Sequence, residues 1–76
     1  MKAILEFDLP NDQHEFDIAN DAAAMHTVLW NMDQWLRGII KYAPDSMDRQ
    51  HLAAMELCRD QLHLLLSQES VNLDGR

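Results

Sequence analysis

The chain has one cysteine, two prolines and two glycines among its 76 residues, and only six lysines and arginines against thirteen acids. A single cysteine, Cys58, excludes an intrachain disulfide and fits a reducing compartment. Two glycines, Gly38 and Gly75, leave no material for a phosphate-cradling loop. Neither paired cysteines nor two histidines at helical zinc spacing occur. Long apolar runs are missing too, and no stretch approaches the roughly 20 residues a membrane-spanning helix needs. The opening MKAILEFDLP is too short and too charged for a signal segment. The net charge of −7 argues against nonspecific DNA binding and membrane binding, because phosphate-rich partners are repelled. These shortages together place the expected protein in the cytoplasm.

What is present is a short apolar-alternating start and two long periodic stretches. Ala3, Leu5, Phe7 and Leu9 alternate with Ile4, Glu6 and Asp8, which predicts a half-buried strand over about 3–9. Pro10-Asn11-Asp12-Gln13 is turn chemistry. Phe16 and Ile18 then alternate with Glu15 and Asp17, predicting a second strand over about 14–19 and hence a β-hairpin. Asn20 or Asp21 is the expected cap of a central helix over about 21–42. Its apolar stripe runs through Met25, Val28, Leu29, Met32, Leu36, Ile39 and Ile40. Gly38 inside that pattern suggests close approach of another backbone. Pro44 ends the helix, and Asp45 or Ser46 is expected to cap a second helix over about 46–68, leaving a loose tail over 69–76.

The predicted fold is therefore α+β. A β-hairpin precedes an antiparallel two-helix hairpin, all in one domain. Domains this small bury only roughly 60% of their unfolded surface. Without a disulfide or metal, oligomerisation is the remaining staple. Apolar residues pointing nearly all round from Leu62 to Leu66 suggest the same, so a homo-oligomer is expected.

One side of the central helix could hold a ligand. Trp30, Asp33, Gln34, Arg37 and Lys41 share a face by spacing, flanked by Trp35 and Tyr42. Two cations beside aromatic rings can stack a planar base and neutralise phosphate. The competing reading makes Asp33 and Arg37 a surface i,i+4 pair and buries the tryptophans. Glu56, Asp60 and His63 share a helical face, but carboxylates and a histidine at such spacing are common on polar surfaces, and no metal site is assigned. Cys58 lies on the apolar side with no oriented base, so no catalytic residue is assigned and no enzyme is expected. No cofactor is implied.

The opening MKAILEF, the central DQWLR and the KYAPD link together resemble a family of small accessory proteins encoded by bacteriophages, over residues 1 to about 66. The resemblance implies a protein made in an infected bacterial cell that counters host defence by binding. The leading expectation is sequestration of a small nucleotide-derived signal in oligomer-lined pockets, with Trp30, Gln34, Trp35, Arg37, Lys41 and Tyr42 as the binding set. The alternative is an acidic inhibitor that docks its hairpin face, through Glu6, Asp8, Glu15 and Asp17, on a basic groove of a host protein.

Overall fold

The computed structural model describes residues 1–75. Two helices dominate: α1 spans Gln13–Lys41 and α2 spans Arg49–Gln68, followed by a single 3-10 turn at Leu73–Gly75. No strand forms among the described residues, which corrects the α+β expectation to an all-helical hairpin. The segment expected as the second strand, 14–19, is the first part of α1.

The physical reason lies in the local sequence. Phe16 and Ile18 fit a two-residue period, but Phe16, Ala19 and Ala23 also fit a helical one. The alanine triplet Ala22–Ala24 has the strongest helix propensity available. Helix already nucleated there extends backwards at little cost, because each added residue gains one bond. Asn20 and Asp21 thus sit inside the helix, and the chain enters it at Asp12. Asp8 and Asp12 close that entry. The Asp12 N–H donates to the Asp8 carbonyl at 2.8 Å, and the Asp8 N–H donates to the Asp12 carboxylate at 2.9 Å. Glu15 lies in the first turn, where negative charge suits the positive helix end.

The segment expected as the first strand has no partner to pair with. It runs without regular structure and is exposed, except that Phe7 packs edge-on against Phe16, with ring centroids 5.5 Å apart.

The turn after α1 comes at Tyr42–Asp48. Asp48, not Asp45 or Ser46, caps α2, its carboxylate accepting from the Gln50 N–H. The helices run antiparallel, joined across their interface by Asp33 on α1 with Arg59 and His63 on α2. Leu29 and Ile40 on α1, with Leu52, Met55, Leu62 and Leu66 on α2, are half-buried at this interface's spacing. The buried apolar residues among those described are Leu36 and Leu73.

The tail does not simply trail away. Ser70 adopts φ 58°, the Ser70 N–H donates to the Ser67 carbonyl at 3.1 Å, and the Val71 N–H donates to the Leu66 carbonyl at 2.8 Å. This pair of bonds is a Schellman ending, usually made by glycine. It turns the chain back toward α1, where the His26 Nε2–H donates to the Asn72 carbonyl at 3.2 Å and Leu73 is buried. Of the tail expected to be loose, Arg76 lies outside the described residues.

An L-residue in the left-handed region pays roughly 1 kcal/mol. Ser70→Gly should therefore raise stability by about 0.5–1 kcal/mol in urea titration. A neutral or negative result would mean that the serine side chain supports the turn.

The molecule is elongated. Its radius of gyration is 17.3 Å, where a compact chain of this length has about 11 Å. Its accessible surface is 6569 Å², where a compact 8.8 kDa monomer exposes about 4,800 Å².

Candidate functional site

A groove of about 660 Å³ lies between α1, α2 and the returning tail. α1 supplies Asp33, Gln34 and Arg37, one helical turn deep. α2 supplies Arg59 and His63, which lie one turn apart on the facing stripe, and the tail closes the end with Asn72 and Leu73.

Asp33 organises the groove. It is 6% exposed, the buried charged residue among those described. One of its oxygens, Oδ1, accepts from Arg59 Nε at 3.0 Å and from His63 Nε2 at 2.6 Å. Burial by itself pushes the Asp33 carboxyl up, but the hydrogen bonds and charges of Arg59 and His63 outweigh it and hold the group below its ordinary value. Asp33 therefore stays ionised and fixes the Arg59 guanidinium and the His63 imidazole beside each other. The Asp33 bond engages Arg59 through Nε.

The sequence-predicted set is divided by the structure. Gln34 and Arg37 line the groove. Arg37 is exposed and makes no ion pair among the described residues. Trp30 is half-buried. Trp35 points elsewhere, into a shallow apolar depression with Val28, Asn31 and Met32. Lys41 and Tyr42 lie at the end of α1, the ammonium 5.4 Å from the centroid of the neighbouring ring. A helix places residues five apart on different sides, which separates Trp35 from Trp30. The anticipated Asp33–Arg37 surface pair gives way to the bonds from α2.

Sequence reasoning missed the partnership of Asp33 with Arg59 and His63. It also missed the tail as a groove wall. The signal for the first was an acid in the middle of α1's inner stripe, at the seven-residue spacing of Leu29 and Leu36, facing an arginine between Met55 and Leu62. His63 turns to Asp33 and not to Glu56 or Asp60. Cys58, expected on an apolar side, is exposed. Glu6 and Asp8 lie in the N-terminal arm and Glu15 and Asp17 in the first turns of α1, so no hairpin face gathers them.

A serine, Ser67, follows His63 by one turn and lines the same groove. No hydrogen bond joins it to His63 among the described residues, and an activated nucleophile needs one. No helix among them is long and apolar enough to cross a membrane. No family model, no curated protein and no solved structure matches this chain.

Proposed function

We propose that the chain is a non-enzymatic binding protein that takes up a small phosphate-bearing molecule of the nucleotide class in the groove between its helices and tail. The observation that carries this reading is the pair of hydrogen bonds accepted by Asp33 Oδ1, which presents Arg59 and His63 together on a groove that Arg37 also lines. Arg37 and Arg59 line the groove beside the carboxylates of Asp33 and Asp74, and their guanidinium forks match phosphate geometry. Leu66, Val71 and Leu73 offer apolar contact to a base or sugar, and Gln34 and Asn72 offer amides to its polar edges. The volume falls within the range of small-molecule sites. Sequestration of a nucleotide-derived signal, as an accessory protein countering host defence would perform, is the role this chemistry serves.

Thermal-shift titration with inorganic phosphate, ADP-ribose and a cyclic dinucleotide, each at about 1 mM, tests the reading. At least one nucleotide should raise Tm by several degrees. Arg37→Ala, at an exposed position outside the Asp33 bonds, should remove the shift while helix content stays unchanged. A Tm indifferent to all three compounds would overturn the proposal. Retention of the shift in Arg37→Ala would move the site out of this groove.

A further inference from the structure

We propose that the outer face of α1 is a self-association seam, on which α1 of a second copy of this chain packs antiparallel. Ile18, Asp21, Met25, Val28, Met32, Trp35, Ile39 and Tyr42 recur at alternating intervals of three and four. That is the seven-residue repeat of a helix pair, sustained from Ile18 to the C-terminal end of α1. α2 does not cover it. Ile18, Met25, Val28, Met32, Trp35 and Tyr42 are all exposed, Val28 to 63% and Trp35 to 57%.

Three further observations favour a second copy as the occupant. The first is area. The chain exposes 6569 Å², which exceeds a compact monomer of its mass by on the order of 1,800 Å². A standard interface takes about 800 Å² from each partner. The second is shape. Two apolar depressions lie along the stripe, one of about 380 Å³ at Val28, Asn31, Met32 and Trp35, the other of about 560 Å³ at Asp21, Ala24, Met25, Val28 and Leu29. They are the holes that side chains of a facing helix fill. The third is Gly38. It shares a flank of the stripe with Ala24 and Asn31, and a Cβ placed on it would meet nothing within 4 Å. Nothing inside the chain requires the glycine there, whereas a second helix approaching that flank would use the space.

Charge sets the direction. A parallel, in-register pair would bring the Asp21 carboxylates of the two copies together inside an apolar seam, a like-charge contact that burial makes costly. An antiparallel pair centred between Val28 and Met32 avoids this. Val28 then meets Met32 of the second copy, Met25 meets Trp35, and the Asp21 carboxylates of the two copies lie at opposite ends of the seam. Asp33, Gln34 and Arg37 sit on the opposite side of α1, so each copy keeps its own groove open.

The experiment is disulfide trapping on the full-length chain, alongside its mass in solution. In a Cys58→Ser background, Asn31→Cys should form a covalent dimer on mild oxidation, because Asn31 faces its own counterpart across an antiparallel seam. Asp21→Cys, at opposite ends of that seam, should not. The unmodified protein should be dimeric by light scattering at about 50 µM, and its Tm should rise with concentration. Met32→Glu should shift it toward monomer. A helical monomer at that concentration would overturn the proposal, and so would trapping through Asp21→Cys in place of Asn31→Cys. Nucleotide binding is read separately by thermal shift, so failure here leaves the groove's function standing.

Discussion

Leu36→Ala should remove about 3 kcal/mol of stability, and Leu73→Ala about 2–3 kcal/mol, whereas Leu57→Ala should change it by less than about 0.5 kcal/mol. The contrast follows from burial. Leu36 is 6% exposed and Leu73 7%, while Leu57 on the outside of α2 is 69% exposed. A chain of this length holds on the order of 4–11 kcal/mol in total, so the first substitution consumes a large share of it. Leu73 adds a second consequence. It pins the tail whose Asn72 carbonyl accepts from His26, so its truncation should also loosen the groove wall and weaken ligand binding. Urea titration followed by far-ultraviolet circular dichroism, at one fixed protein concentration, measures all three. Equal losses for Leu36→Ala and Leu57→Ala would mean that the helices do not pack through the face described above.

The parts of this fold that could be read in the sequence are those that local chemistry decides. The 3.6-residue period of Leu29, Leu36 and Ile40, the break at Pro44 and the second period through Leu52, Met55, Leu62 and Leu66 locate two helices. The N-terminal third was misread because Phe16 and Ile18 satisfy two periods at once. Which one wins depends on the neighbouring alanines, since an isolated two-stranded hairpin is barely stable and a helix need only extend. Helical spacing puts Gln34 and Arg37 on one face of α1, but does not show that this face borders a groove with α2 and the tail. Trp35 was not separable from them, since aromatic residues at a face's edge can turn either way. The tail's return depends on Ser70 entering a left-handed conformation that its residue type does not announce. The pairing of Asp33 with residues 26 and 30 positions away is tertiary, and only the register of the two helices reveals it.

Asp33→Ala should cost about 2 kcal/mol. Removing one partner of a buried ion pair costs about 3–5 kcal/mol when the other stays buried. Here the discount is physical, because the Arg59 and His63 side chains are 27% and 48% exposed and can recover water. The acid side of the stability profile carries the same information. Asp33 is held below its ordinary 3.8 in the folded chain. Its contribution is therefore complete above that value and is lost as pH falls through the lower folded value. The wild-type protein should lose stability more steeply than Asp33→Asn on going down from about pH 4. Parallel profiles would show that Asp33 gains nothing from its two partners. The double replacement Asp33→Leu with Arg59→Met should recover most of the lost stability, since an apolar pair of similar volume can substitute for a buried ionic one. It should not recover nucleotide binding. That dissociation of the two readouts would separate the cluster's part in ligand binding from its part in holding the helices together.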